Sequence, residues 1–409
     1  MNWEKAKIVE ICRGIYDGPH ATPPVSEDGA IFLGISNITP DGHLDLSDPK
    51  YISENDFPKW TKRVTPQAGD IVFSYEATLN LYAMIPEGFR GCLGRRMALI
   101  RPDEEKVLGR YLYYYFFSDE WRATIAENTV IGATVDRIPL IRFPEFPVSF
   151  PSLEKQKAIA DTLSAYDDLI ENNQKQIKLL EEAAQRLYKE WFVDLRFPGH
   201  ETTPITDGIP WGWQYRPLSE VFDFVRGKSY TSKELSDTEG VLMVNLKNIR
   251  AFGGYKRNAE KRFTGQFKEN QTLAAGDVVM GVTDMTQERR LVGHVALVPD
   301  MGEAMTFSMD LIKIIPRLTD KLFIYSALYY GGLSKLISPL ANGVNVLHLK
   351  PEAMMGIEML IPHDAIVRAY HEQIAPIIVR IEALQKQCDI AAEARDRLLP
   401  KLMNGEIKI

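Results

Sequence analysis

The sequence predicts an α+β protein with two tandem globular domains, each followed by a long helix, and three observations support this fold. The chain has 409 residues, whereas one domain usually has about 100 to 200 residues. It repeats itself once, at an offset of about 211 residues, which indicates a duplicated unit. Each half also ends in an apolar stripe with helical spacing. We therefore predict domains at 1–151 and 199–361, and helices at 152–198 and 362–409.

The repeat consists of short matched motifs, namely Arg13-Gly14 with Arg226-Gly227, Asn37-Ile38 with Asn248-Ile249, and Gly69-Asp70 with Gly276-Asp277. Short β-branched runs at 69–74 and 291–298 predict strands, and the dense Gly and Pro residues around them are typical of an α+β domain. The aromatic segment 111–117 could stack on bases. We favour a buried helix there, because residues 322–330 occupy the corresponding place in the second half.

The two long helices carry apolar residues alternately four and three positions apart, which is the spacing of a coiled-coil seam. The seam of the first helix is Ile159, Leu163, Tyr166, Ile170, Asn173, Ile177, Leu180, Ala184, Leu187 and Trp191. The seam of the second is Tyr370, Ile374, Ile377, Ile381, Leu384, Cys388, Ala391, Arg395 and Leu398.

Such a stripe is also typical of a helix packed on its own domain. Because two matched stripes each follow a separate domain, we expect them to form an antiparallel coiled coil, with the two halves related by a pseudo-twofold axis. The domains would then lie at opposite ends of the coil. Asn173 and Arg395 interrupt the apolar seam. They either fix its register or lie at solvent-exposed ends.

The composition excludes several classes of protein. With 45% hydrophobic and 25% charged residues, the chain is neither disordered nor fibrous. No apolar run approaches the roughly 18 residues of a membrane span, so we expect no membrane partner. The N-terminus lacks signal-peptide features and the three cysteines lie far apart, so we expect a cytoplasmic protein with no disulfide or metal site. The net charge of −7 argues against nonspecific coating of nucleic acid.

Four segments carry a resemblance to a known family. Residues 180–201 (LEEAAQRLYKEWFVDLRFPGHE) and 208–213 (GIPWGW) resemble the central region of the specificity subunit of type I restriction-modification systems (HsdS). Residues 17–23 (DGPHATP) and 92–102 (CLGRRMALIRP) are similar to the target recognition domains of that family. The match in architecture covers essentially the whole chain, although the recognition-domain motifs are looser than the central motif.

The resemblance implies a fold, a function and a set of partners. It implies two target recognition domains, each reading one half of a bipartite site in double-stranded DNA, and an antiparallel helical spacer that binds two modification subunits. Those methyltransferase subunits would methylate adenine with S-adenosylmethionine. Separate restriction subunits would supply the motor and nuclease, with ATP and Mg. This chain itself would need no cofactor.

The residues agree that the chain has no catalytic centre. Adenine methyltransferases hold the flipped base with an Asn-Pro-Pro-Tyr or Asp-Pro-Pro-Tyr element, and neither occurs. Gly227-Lys228-Ser229 looks like the end of a Walker motif, but Phe222 replaces its required glycine. Two alternatives stay open. One is an interaction scaffold whose duplicated domains grip protein rather than DNA, and the other is an enzyme with an unrecognised active site.

Two segments of the second half are candidates for DNA contact. A basic run suits phosphate contact, although a solvated face explains such a run equally well; it contains Lys247, Asn248, Arg250, Lys256, Arg257 and Lys261. A polar loop at residues 283–290 contains side chains of types that read base edges, although surface loops are often polar for solubility alone. Its candidates are Thr283, Asp284, Thr286, Gln287, Arg289 and Arg290.

The corresponding loop of the first half supplies Ser74, Tyr75, Thr78 and Asn80, together with Arg95 and Arg96. The family-like segment at 17–23 adds His20 and Thr22. Weaker candidates lie near the turns after Gly132 and Gly343 and near Gly227, and these are Thr134, Arg137, Arg226, Lys228, Asn345 and His348.

Overall fold

The computed structural model describes residues 3–132 and 134–407. The chain divides into a first unit, residues 1–172 with 387–409, and a second unit, residues 173–386. Both divisions fall within the long helices, so each unit combines one globular domain with a part of each helix.

The first unit is built around a four-stranded antiparallel sheet with the order β2-β8-β5-β6. A smaller sheet has the order β4-β3-β7, in which β3 and β7 are parallel, and β1 pairs with β9. The strands are β1 (Glu4–Lys7), β2 (Cys12–Asp17), β3 (Ala30–Leu33), β4 (Lys50–Ile52), β5 (Ile71–Ser74), β6 (Tyr82–Met84), β7 (Gly91–Leu93), β8 (Met97–Pro102) and β9 (Pro147–Phe150). The helices are α1 (Phe57–Trp60), α2 (Gly109–Tyr115), α3 (Asp119–Asn128) and α4 (Leu153–Tyr188).

The central sheet of the first unit is buried on both faces. Successive side chains of a strand point to opposite faces, and here Ile71 and Phe73 enter one core while Val72 enters another. The first core includes the aromatic residues of α2, and Tyr111 to Phe116 are all buried. This confirms the buried helix predicted for the aromatic segment, and burial excludes it as a stacking platform for bases.

The second unit repeats this plan with more strands. Its central sheet has the order β13-β22-β18-β20, and its other main sheet has the order β14-β16-β15-β21-β17. The strands are β10 (Ile205–Thr206), β11 (Ile209–Pro210), β12 (Gln214–Pro217), β13 (Phe222–Arg226), β14 (Leu235–Ser236), β15 (Val241–Val244), β16 (Lys261–Phe263), β17 (Thr272–Leu273), β18 (Val278–Gly281), β19 (Thr283–Asp284), β20 (Val295–Leu297), β21 (Met305–Phe307), β22 (Leu311–Pro316), β23 (Leu347–His348) and β24 (Glu358–Ile361). The helices are α5 (Leu218–Val221), α6 (Lys321–Tyr329), α7 (Ser334–Ile337) and α8 (Asp364–Met403).

The strand pairing confirms the internal repeat and the α+β class. The order β2-β8-β5-β6 corresponds to β13-β22-β18-β20, and the parallel pair β3–β7 corresponds to β15–β21. The pair β1–β9 likewise corresponds to β12–β24. The runs predicted as strands at 69–74 and 291–298 contain β5 and β20.

The helices α4 and α8 pack antiparallel within each unit. In the first unit Arg395 Nη1 of α8 lies 2.6 Å from Asp167 Oδ1 of α4, and the Cys388 thiol approaches the carbonyl oxygen of Ile170. In the second unit Arg380 Nη2 lies 3.3 Å from Gln176 Oε1, and the ring of Tyr370 packs on the ring of Tyr188. Residue numbers thus rise along α4 as they fall along α8, as predicted. The supercoil itself stays a prediction.

The two polar residues of the seam are buried. Arg395 is 9% exposed and Asn173 is 2% exposed, so solvent-exposed ends do not explain them. Arg395 pairs with Asp167, whose carboxylate also accepts the hydroxyl of Tyr114 from α2. This cluster supports the role in fixing register.

Across the described part of the chain, no helix is both long and apolar enough to cross a membrane.

Candidate nucleic-acid interface

In the first unit, the loop after β5 is shaped by hydrogen bonds to its own backbone. Ser74 is buried, its N–H donates to the carbonyl of Leu81 at 3.1 Å, and its hydroxyl donates to the carbonyl of Thr78. Ala77 and Asn80 have φ values of 71° and 61°, which non-glycine residues seldom adopt. The structure therefore corrects one candidate, because Ser74 supports the loop and Thr78 is the residue exposed at its tip.

Four segments meet around this loop and form what we call the first-unit surface: residues 17–22, 75–80, 94–96 and 134–138. The Tyr75 hydroxyl lies 3.4 Å from His20 Nδ1, and the Tyr75 N–H donates to the carbonyl of Arg96 at 3.2 Å. Glu76 lies 3.1 Å from Arg96 Nε and forms a β-bridge with Arg137. The exposed candidates here are His20, Thr22, Thr78, Arg95, Thr134 and Arg137.

Tyr75 itself is buried, and its hydroxyl contacts the exposed His20. Burial, followed by the nearby Asp17 carboxylate, raises the pKa of Tyr75, so its hydroxyl stays neutral and able to donate. Asp17 also lies 3.0 Å from His20 Nε2 and pairs with Arg63. Arg63 therefore also lies at this surface. The sequence did not predict this, because no motif around residue 63 indicates that the side chain contacts the loop after β2.

In the second unit, the loop after β18 is held by Asp284. This carboxylate is fully buried. Its Oδ1 accepts the N–H and hydroxyl of Thr286, both at 2.8 Å, and its Oδ2 accepts the N–H groups of Leu291 and Val292 at 2.6 and 3.3 Å. Burial raises the pKa of Asp284, but these N–H donors outweigh it and hold the pKa below its ordinary value.

Two candidates of this loop therefore need correction. Both carboxylate oxygens of Asp284 already accept hydrogen bonds from within the protein. Asp284 therefore stabilises the loop and is not placed to accept a hydrogen bond from a cytosine. Thr283 is also buried, and its hydroxyl donates to Asp310 Oδ1 at 3.1 Å. Thr286, Gln287 and Arg290 are exposed, whereas Arg289 is half-buried.

The loop is joined to a second one, and together residues 283–291 and 342–348 form the second-unit surface. Strand β19 pairs with β23, with Thr283 opposite His348. Gln287 Nε2 donates to the carbonyl of Val344 at 2.8 Å. Asn345 and His348 are both exposed. The structure therefore brings the candidates of the two loops together.

The basic run of the second unit lines an open depression, which we call the basic depression, formed by Lys247, Arg250, Lys256 and Lys261. Its acidic lining residue, Glu260, accepts hydrogen bonds from Asn248 Nδ2 at 2.9 Å and from the Tyr255 hydroxyl at 2.6 Å. These bonds turn the carboxylate toward the protein. The run reaches the second-unit surface, because the N–H of Phe252 donates to the carbonyl of Arg290 at 2.7 Å.

The remaining members of this run are placed differently. Asn248 is fully buried, where its side chain bonds the backbone of Asn245 and Lys256. We therefore correct its assignment, because it shapes the turn and does not face a ligand. Arg250 lies 3.9 Å from Glu181 of α4. Arg257 is half-buried and lies outside the lining of the depression.

Arg226 and Lys228, at the end of β13, do not join the loop after β18. Arg226 Nη2 lies 2.7 and 2.8 Å from the two carboxylate oxygens of Glu352, which holds the pKa of Glu352 below its ordinary value. The backbone of Lys228 pairs with Phe307 at 2.8 Å. A side chain at Gly227 would lie 2.0 Å from the carbonyl of Ser308, so this approach requires glycine.

Three arginine candidates, from both units, share one feature, which is an ion pair with a nearby carboxylate. Arg96 pairs with Glu76, Arg226 with Glu352, and Arg290 with Glu288. Arginine presents a planar fork of donors that matches guanine or phosphate. The ion pairs orient these forks before any ligand arrives. Within residues 3–132 and 134–407, we find no group of three or more His, Cys, Asp or Glu side chains arranged to hold a metal ion.

Comparison with known proteins gives consistent matches. Residues 27–182 match the family model described as the type I restriction modification DNA specificity domain. The chain is 27% identical over 375 residues to the type I restriction enzyme MjaIX specificity subunit of Methanocaldococcus jannaschii, covering 86% of this chain and 79% of the relative. It is 23% identical over 331 residues to the MjaVIII specificity subunit of the same organism, covering 79% and 76%.

A solved structure shows the same fold. The S subunit of a type I restriction-modification system from M. genitalium superposes with a TM-score of 0.58 at 16% identity, and the match covers 98% of this chain and 96% of that chain.

Proposed function

We propose, because this chain belongs to the DNA specificity subunits of type I restriction-modification systems, that its two units read the two halves of a bipartite DNA target. The chain is thus a recognition subunit, and in this proposal the catalytic steps belong to its partners.

One observation carries the proposal: the same loop arrangement occurs twice. In the first unit the loop after β5 bridges to Arg137, and in the second unit the strand after β18 pairs with His348. The two surfaces hold equivalent positions in the repeated sheets but expose different side chains. Two equivalent surfaces with different chemistry are what a protein needs to read two different short sequences.

The side chains suggest how reading and anchoring are divided. Arginine and glutamine can make paired hydrogen bonds to guanine and adenine in the major groove, so we assign Arg290, Gln287 and Arg95 to base contact. The lysines of the basic depression would neutralise phosphates and release counterions, which adds affinity without specificity.

The partners follow from family membership and extend the proposal. Two modification subunits would dock on this chain and methylate adenine with S-adenosylmethionine. Restriction subunits would supply ATP- and Mg-dependent translocation and cleavage. No cofactor is assigned to this chain, and we infer that the assembly works in the cytoplasm.

Binding and methylation assays test this proposal. The purified full chain should bind a duplex carrying the target, found by methylation mapping of the host genome, more tightly than a duplex with the same bases scrambled, and raised salt should weaken both. The chain alone should transfer no methyl group, whereas its complex with the modification subunits should methylate adenine at the target. Equal affinity for both duplexes would favour an interaction scaffold, and methyl transfer by the chain alone would contradict the division of labour.

A further inference from the structure

Two large apolar side chains project from the second-unit surface into solvent. Met285 is 78% exposed and Val344 is 88% exposed. Met285 follows directly after β19, and Val344 lies three residues before the start of β23. Isolated exposed apolar residues are common and need no explanation, but these two lie on loops that are joined to each other.

The loops that present them are braced. Thr283 pairs with His348 and Asp284 with Leu347 across the two short strands. The amide of Gln287 bonds the carbonyl of Val344 itself at 2.8 Å, and the buried Asp284 carboxylate bonds the backbone at both ends of the first loop. The backbone positions of Met285 and Val344 are therefore set before a ligand binds, which lowers the entropic cost of using these residues as contacts.

The neighbours of these residues indicate the chemistry of the ligand. Gln287 and Asn345 carry amides, Arg290 is cationic, and all three are exposed. In the major groove, an A·T pair offers adenine N6 and N7 to an amide and, on the same edge, the C5-methyl group of thymine to an apolar side chain. Amide and apolar side chains on one cationic surface match that edge.

We propose that Met285 and Val344 contact thymine C5-methyl groups in the half-site that the second unit reads, an inference that rests on the proposed function of this surface. Both residues lie in the second unit, so removal of the thymine methyl groups that this pair contacts should weaken binding only in the half-site read by that unit.

Replacement of thymine by deoxyuridine tests this directly, because it removes the methyl group and leaves base pairing unchanged. Thymines of one half-site at a time are replaced in the target duplex, and binding of the full chain is measured. For the wild-type chain, each contacted methyl group that is lost should weaken binding about fourfold. This loss should occur in the half-site that the second unit reads. A chain with Met285→Ala and Val344→Ala should bind the thymine and deoxyuridine duplexes equally.

A matched control is Val379→Ala on α8, because Val379 is also exposed, at 66%, and lies outside both loops. It should keep the wild-type preference for thymine. The inference is overturned if the wild-type chain does not distinguish the two duplexes, or if the double variant keeps the full preference. The inference is also overturned if the double variant loses affinity equally for both duplexes and unstacks bases less than the wild-type chain does, which would indicate a wedge between base pairs. If the wild-type chain does not prefer its target over scrambled DNA, the proposed function itself fails.

Discussion

Asp284 shows how a single carboxylate can set the shape of a binding loop. It bonds the N–H groups of Thr286, Leu291 and Val292 and the hydroxyl of Thr286. The pKa of Asp284 lies below its ordinary value, so the charged form is more stable in the folded than in the unfolded state. Its contribution to folding is complete above the unfolded pKa of about 3.9 and is lost as the pH falls below that value.

We expect Asp284→Asn to lower the free energy of unfolding at pH 7 by about 1 to 3 kcal/mol, because one N–H acceptor is lost and an amide donor faces other donors. The difference from the wild-type chain should shrink as the pH falls below about 4. Urea unfolding of the full chain at several pH values measures this. Asp237→Asn, at an exposed site, should change little, and a deficit that persists unchanged at low pH would show that the charge is not the cause.

Arg290 and Lys256 should separate base reading from phosphate contact. Arg290→Ala should weaken binding to the target by about 1 to 3 kcal/mol and leave binding to random DNA nearly unchanged, if its side chain reads a base. Lys256→Ala should weaken all sequences alike and lower the salt slope by about 1. Fluorescence anisotropy at several salt concentrations measures both. Equal losses on target and random duplexes for Arg290→Ala would remove it from the reading residues.

Residue roles were the hardest feature to predict from the sequence. Asn248 and Asp284 are residue types that bind bases, but the same types also bond nearby backbone groups in turns. Burial decides between these roles, and burial depends on strands that are distant in sequence. Arg63 was missed for the same reason, because only the folded chain brings it to Asp17.

At the scale of elements, prediction from the sequence was more successful. The repeat is visible as matched motifs at a nearly constant offset along the chain. The seam is visible as the spacing of apolar residues along one helix. The helix at Tyr111 to Tyr115 was predicted correctly from its counterpart in the second half. The strands β14 and β17 of the five-stranded sheet have two residues each, which is too short to leave a pattern.

The pair of Asp167 and Arg395 joins α4 to α8 in the first unit. Without Asp167, the largely buried Arg395 keeps only the exposed Asp396 as a partner, and without Arg395, Asp167 keeps only the hydroxyl of Tyr114. We expect Asp167→Leu or Arg395→Met alone to lower the free energy of unfolding by roughly 3 to 5 kcal/mol. The double replacement should recover much of this loss, because two apolar side chains can bury each other. Chemical unfolding of the three variants measures the coupling.

The exposed pair of Lys157 and Asp161 on α4 is the matched control. Asp161→Asn should change stability by less than about 0.5 kcal/mol, because solvent screens an exposed pair. Single variants at Asp167 and Arg395 that cost no more than this control would show that the buried pair does not hold the helices in register.

At the scale of the whole molecule, we expect the length of the helices to set the gap between the two half-sites, which should be centred roughly 34 to 36 Å apart, about one DNA turn. Adding one heptad between Ile170 and Ile177, and one between Ile381 and Cys388, preserves the seam and adds about 10 Å to each helix. The optimal gap should then grow by about three base pairs, with both half-sites unchanged.

Binding of this variant to duplexes that differ only in gap length measures the effect. Docking of the modification subunits is not needed for this assay. A folded variant whose optimal gap is unchanged would show that the helices do not set the spacing.

The pairing of β1 with β9 and of β12 with β24 has an evolutionary consequence. The chain enters and leaves each domain on adjacent strands, so the whole segment between them can be exchanged by recombination as a cassette without a change in the length of either helix. The contacts of Tyr114 with Asp167 and of Phe323 with Tyr188 limit which cassettes are accepted, because the incoming domain must fit the helix that it meets. A lineage could thereby acquire a new DNA target in one genetic step and keep the partners it already has.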